Sequence, residues 1–160
     1  MRDNNLIVCY SYSGNTLKIA EIIQSQVGGD ILNVKVRHSY PSQYNKLLDV
    51  AKNEIRQDYA PEIIDVPINI DDYDSIFIGS PNWWNTIAPP IKSFFRHYDT
   101  SGKAIYPFCT HGGGGSGRIF AEIAKASKCT QINKGLAIYD DGGSQADKKV
   151  AEWLAEEFRQ

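Results

Sequence analysis

Cysteine, methionine and net charge are all scarce in this chain. Seventeen Lys and Arg stand against 19 Asp and Glu, a formal charge of −2 over 160 residues. With that near-balance, and no Lys/Arg cluster along any stretch, the basic footprint of a nucleic-acid binder is missing. No apolar run approaches the roughly eighteen residues of a membrane span. The N-terminus, "MRDNNLIVCYSYSG", has too short and interrupted an apolar stretch for a secretory signal, so a cytoplasmic protein is expected. The three cysteines, Cys9, Cys109 and Cys129, have neither the even count of a disulfide scaffold nor the close pairs of a zinc site, and they read as small buried hydrophobes. The length suits one domain and no composition break divides it, so residues 1–160 are read together.

Apolar residues are grouped into short continuous runs: Leu6 to Tyr10, Ile76 to Ile78, Ala104 to Cys109 and Leu136 to Tyr139. Continuity, as opposed to alternation, fits strands covered on both faces, as in a parallel sheet. A fifth run, Ile31 to Val36, alternates and suits a strand nearer the edge. Segments with helical spacing lie between them, over Thr16 to Val27, Gln43 to Gln57, Ile87 to Tyr98, Gly117 to Ser127 and Gln145 to Phe158. Pro89 and Pro90 suit a first helical turn, and Ser144 with Asp147 predicts a capping box for the last helix. The stretch from His38 to Asp74 is long for a plain connection. It is read as an elaborated crossover whose second part, "APEIIDVPINIDDY", is extended. Five alternations of strand and helix imply right-handed crossovers and a three-layer α/β sandwich.

Ligands of an open parallel sheet bind beyond the carboxyl ends of its strands, which directs attention to "SYSGNT", "GSPNWWNT", "THGGGGSG" and "DDGGSQ". The first sets Ser11, Ser13, Asn15 and Thr16 at a helix N-terminus, where free N–H groups and partial positive charge attract an anion. Gly14 admits close backbone approach, and Lys18 is available from the first turn. Taken alone, this loop serves equally well as a phosphate cradle or as an ordinary helix cap. It carries neither the Gly-Lys-Ser/Thr ending of a nucleotide loop nor Gly-x-Gly-x-x-Gly. Trp83 and Trp84, adjacent in a polar loop, offer a stacking surface for a flat aromatic ligand, or else cover a sheet edge or a partner surface. The glycine loop presents main chain that can lie against a ring, with His111 and Arg118 as its charged or titratable members.

A phosphate loop, an aromatic loop and a glycine loop, in that order on a five-strand doubly wound chain, together resemble the flavodoxin family from Leu6 to the last helix. "SYSGNT" is similar to the family's Ser/Thr-x-Ser/Thr-Gly-x-Thr loop around the FMN phosphate, and "SPNWWNTIAPP" to the Pro-x-Trp-Trp loop of the branch with an extended second crossover. "THGGGGSG" resembles the loop along the flavin's edges. The resemblance implies a flavodoxin-like five-stranded parallel sheet of order 2-1-3-4-5 and noncovalent FMN. By motif position it assigns Ser11, Ser13, Gly14, Asn15 and Thr16 to the phosphate. Pro81, Asn82, Trp83, Trp84 and Asn85 go to the ring, and Thr110, His111, Gly112, Gly113, Ser116 and Gly117 to its polar edge. Which tryptophan stacks is left open by the motif.

The flavin carries the redox chemistry and the protein orients and tunes it. The family implies that acidic surroundings lower the potential of electron-transfer flavodoxins. Here the loops Ser80 to Asn85 and Thr110 to Arg118 contain no carboxylate, whereas His111 and Arg118 offset negative charge, which favours a less depressed potential. Two readings result. One is an electron carrier docking redox partner proteins; the other is an NAD(P)H-dependent FMN oxidoreductase using a nicotinamide and a small aromatic acceptor such as a quinone or nitro compound. A cysteine phosphatase is disfavoured, because the residue six beyond Cys9 is Asn15 and Cys109 lies nine residues before Arg118.

Overall fold

A computed structural model describes residues 4–129 and 131–158. The strands are β1 (Asn5–Cys9), β2 (Asp30–Asn33), β3 (Ser75–Pro81), β4 (Ala104–His111), β5 (Gln131–Ile132) and β6 (Leu136–Tyr139). The helices are α1 (Asn15–Val27), α2 (Tyr44–Arg56), α3 (Pro89–His97), α4 (Ile119–Ser127) and α5 (Ala146–Glu157). All strand pairings are parallel, in the order β2-β1-β3-β4, with β5 and β6 both on the outer edge of β4. This is the expected 2-1-3-4-5 order, its fifth place shared by two short segments. Among the described residues no helix is long and apolar enough to cross a membrane.

The continuous apolar runs feed two cores, because successive side chains of a strand point to opposite faces. Leu6 and Val8 of β1, Ile76 and Ile78 of β3, and Ile105 and Cys109 of β4 pack with Leu47, Ala51, Ile91, Phe94, Ile119 and Ile123 from α2, α3 and α4. Ile7, Cys9, Phe77, Tyr106 and Phe108 face the other way, onto Ile19, Ala20 and Ile23 of α1 and Val150, Trp153 and Leu154 of α5. Each fully buried Leu, Ile or Phe contributes roughly 1.5–3 kcal/mol through burial. Cys9 and Cys109 behave as small core residues, and burial pushes each thiol up to about 12. Cys129, two residues beyond the end of α4, is only half-buried.

Three expectations need correction. The strand expected over Ile31 to Val36 stops at Asn33, since Val36 turns to bridge Ile63 in antiparallel fashion. The extended segment of the second crossover supplies that bridge, with Arg37 N donating to Glu62 O at 2.9 Å and Ile64 N to Lys35 O at 2.8 Å. The capping box at Ser144 is absent: a 3-10 turn over Gly143–Gln145 intervenes, and α5 starts at Ala146 without a side-chain cap. The strand expected over Leu136 to Tyr139 is present as β6, and the short β5 ahead of it stops before Asn133, whose side chain and backbone N–H both donate to Ile105 O. The third helix begins at Pro89, with both prolines in its first turn, two residues later than expected.

Candidate functional site

The first loop leaves β1 at its carboxyl end and enters α1 through Gly14, whose φ of 100 excludes most L-residues. No side chain caps α1, so the first-turn N–H groups carry neither a serine nor an asparagine acceptor. The cap reading of this loop therefore fails. Ser11 Oγ instead accepts from Gly14 N at 3.0 Å and shapes the loop. Thr16 is buried, and its hydroxyl meets that of Thr110 at 2.7 Å, tying the first loop to the end of β4. Asn15 Nδ2 donates to Asp140 Oδ1 at 3.1 Å. Lys18 reaches Asp141, with Nζ 3.4 Å from Oδ2, and Asp141 lies below the usual carboxylate range mainly because it accepts from Gly143 N.

The second loop forms a tight reversal. Trp83 and Thr86 exchange backbone hydrogen bonds at 3.2 and 3.3 Å, with Trp84 (φ 57) and Asn85 (φ 65) both left-handed between them, as in a type I′ turn. Two consecutive non-glycine residues in that region cost about 1 kcal/mol or more each. The turn is held by its surroundings. Asn82 Oδ1 accepts from Asn85 N at 2.8 Å, and Glu122 of α4 accepts from both Thr86 Oγ1 and Ile87 N. The reversal separates the tryptophans. Trp83 is buried edge-on against Tyr10, Tyr12 and Tyr40, with ring centroids 5.6, 6.1 and 5.1 Å away. Trp84 is 44% exposed, its indole N–H donating to Leu48 O at 3.1 Å and Lys52 Nζ lying 5.1 Å from its ring centre. Beneath the cluster Tyr40 donates to Glu54 Oε1 at 2.6 Å. Burial and that bond raise the Tyr40 phenol, and burial raises the Glu54 carboxyl against the opposing effect of the phenol.

The third loop docks on the second. Asn82 Nδ2 donates to Gly115 O at 2.7 Å and Arg118 N to Asn85 O at 2.8 Å. Gly117 (φ 50) lies so close that a Cβ would fall 2.7 Å from Asn85 O. His111 Nδ1 accepts from Gly113 N at 3.1 Å, and the imidazole meets the Tyr139 ring edge-on.

These loops and α2 enclose a cavity of about 580 Å³ at the carboxyl ends of the strands. Of the residues singled out from the sequence, Ser13, Asn15, Pro81, Asn82, Trp83, Trp84, Thr110, His111 and Gly112 line it. Ser11, Gly14, Thr16, Asn85, Gly113, Ser116 and Gly117 do not line it. Sequence reasoning did not include Tyr12, Tyr44, Leu47, Leu48, Ala51 or Asp140. Tyr12 lies inside the quoted first loop and Asp140 opens the fourth, so both were within reach. The α2 residues read as a helix's core-facing stripe, and nothing local marks such a stripe as a cavity wall.

An uncapped helix N-terminus and aromatic side chains on the wall of one cavity define a doubly wound α/β protein suited to a phosphorylated, flat ligand. The chain belongs to the flavodoxin family, whose model matches residues 4–157. No curated protein matches it. Among solved structures, it resembles a flavoprotein from Lactobacillus acidophilus NCFM in complex with FMN. That protein is 28% identical, with a TM-score of 0.75 over 94% of this chain and 98% of that one. The apo-form of the Lactobacillus acidophilus NCFM flavoprotein matches at 31% identity and a TM-score of 0.66, over 93% of this chain and 98% of that one. A Bacteroides uniformis protein, 22% identical, shares the fold with a TM-score of 0.84 over 97% of this chain and 99% of that one.

Proposed function

We propose that the cavity holds FMN noncovalently and that the protein passes electrons through it between redox partner proteins. The observation that carries this reading is the uncapped N-terminus of α1 opening into a cavity with an aromatic wall, an arrangement suited to a phosphate at one end and a flat ring at the other. Ser13, Asn15 and the backbone N–H groups at the start of α1 would hold the phosphate, with Ser11, Gly14 and Thr16 shaping the loop. Trp84 would stack on the ring, and Thr110, His111, Gly112 and Gly113 would meet its polar edge. Asn82, Asn85, Ser116 and Gly117 belong to the two docked loops that would flank it. When bound, FMN supplies one- and two-electron chemistry, and the chain binds, orients and electrostatically tunes it.

The carrier reading is supported by the cavity mouth, where Trp84 is 44% and Tyr44 67% exposed, an aromatic lip of the kind enriched at protein contacts. The second reading is an oxidoreductase accepting hydride from a nicotinamide at the same mouth and reducing a quinone or nitro compound. It is motivated by His111 at the cavity and Arg118 at the end of the glycine loop, where positive charge would favour an anionic reduced flavin.

Two measurements test this. Purified protein should take up FMN stoichiometrically with a visible flavin spectrum, and failure to bind FMN in any redox state would remove the reading. Anaerobic titration with NADH and NADPH then separates the alternatives. Rapid bleaching by a nicotinamide favours the oxidoreductase, and reduction only through a partner flavoprotein favours the carrier.

A further inference from the structure

We propose that Asp140 makes this site selective for a flavin phosphate that still carries one proton, by holding a fixed carboxylate at the phosphate end of the cavity. The inference rests on the FMN reading above. Asp140 immediately follows β6, where a left-handed backbone (φ 56) and donation from its N–H to His111 O at 2.8 Å fix it beside the glycine loop. Its Oδ1 accepts from Nδ2 of Asn15, the first residue of α1, and both side chains line the cavity.

A carboxylate at the mouth of an anion-binding helix opposes the helix's own charge, so its neighbours decide what it does. From α1 comes Lys18, which is engaged with Asp141, the residue next to Asp140. From β4 comes His111, whose Nδ1 already accepts from Gly113 N; from β6 comes Tyr139, set against the imidazole. From the first loop come the exposed Ser13 and Tyr12, whose hydroxyl donates to Pro41 O. The phosphate end thus carries two carboxylates, one ammonium and the partial positive charge of α1.

Phosphate monoesters lose their second proton at about pH 6. The monoanion has a P–OH group that can donate to the Asp140 carboxylate. The dianion has none, and two acceptor-only groups then face one another. One added unit charge near contact distance in a largely solvated site corresponds to a roughly fivefold to tenfold change in Kd.

The test is fluorescence titration of the flavin-free full chain with FMN and with riboflavin between pH 5.5 and 8.5, in the wild type, Asp140→Asn and Asp140→Ala. Asp140→Asn keeps an acceptor for Asn15 while removing the charge, and riboflavin lacks the phosphate. Any pH effect acting on the ring, such as titration of Glu54 beneath the aromatic cluster, moves both ligands equally. Expected are a fivefold to tenfold rise in the wild-type Kd for FMN across the range, a flat riboflavin profile, and flattening of the FMN profile in both variants. FMN binding whose pH profile is the same in wild type and variants, or is shared by riboflavin, overturns the proposal and leaves the FMN reading standing. Absence of FMN binding at every pH overturns both.

Discussion

Gly117→Ala probes whether the glycine loop and the tryptophan loop must dock for the flavin to bind. A Cβ at Gly117 would lie 2.7 Å from Asn85 O and 2.8 Å from its Cα, both backbone atoms, so one loop has to move. Gly115, in the same loop with φ 72, has nothing within 4 Å of an added Cβ. Gly115→Ala therefore incurs only the left-handed penalty of an L-residue, about 1 kcal/mol. Gly117→Ala carries that penalty and also displaces the contacts between the loops, the bonds from Arg118 N to Asn85 O and from Asn82 Nδ2 to Gly115 O. At about 1 kcal/mol each these are worth about 2 kcal/mol. If docking is required for binding, that energy is withdrawn from the flavin, and the Kd for FMN in Gly117→Ala should exceed that of Gly115→Ala by roughly thirtyfold. Fluorescence titration gives the constants, and thermal unfolding of the flavin-free proteins shows that both variants are folded. Equal constants in the two variants would refute the coupling of the loops.

The other predictions draw on separate parts of the site. Ser13→Ala should weaken FMN more than riboflavin, whereas Thr16→Val, which strips a buried hydroxyl of its partner, should lower stability by about 1–3 kcal/mol in thermal or urea unfolding; an unchanged Tm would remove the Thr16–Thr110 bond from the argument. Trp83→Ala should cost about 3–5 kcal/mol of stability as a buried aromatic truncation, while Trp84→Ala should leave stability nearly unchanged and relieve quenching of flavin fluorescence; the opposite pattern would reverse the roles of the two. Glu54, its carboxyl raised by burial, binds protons more tightly in the folded than in the unfolded chain, so its contribution to stability falls as pH rises from the ordinary carboxylate value through the raised one. Glu54→Gln keeps an acceptor for Tyr40, and its Tm relative to wild type should be higher at pH 7 than at pH 4.5. Iodoacetamide should label Cys129 in the native protein and reach Cys9 and Cys109 only on unfolding, since both are buried with thiols raised to about 12; fast native labelling at Cys9 would contradict the packing.

The residue pattern alone determined the layered fold, because continuous apolar runs and helical spacing are local, and strands covered on both faces leave few ways to connect them. It also marked the three loops, whose small polar, aromatic and glycine residues stand out against the runs they follow. Tertiary packing decided what those residues do. Ser11 and Thr16, alike in the sequence with Ser13, turn their hydroxyls onto Gly14 and Thr110, since a hydroxyl's partner depends on which loop the fold brings beside it. Trp83 and Trp84 part company because a two-residue reversal aims one into the tyrosine cluster and the other onto α2. The cavity wall on α2 and the carboxylate of Asp140 are positioned by crossovers that join distant segments. Asp140 meets Asn15 across 125 residues of chain, a distance over which local pattern carries no information.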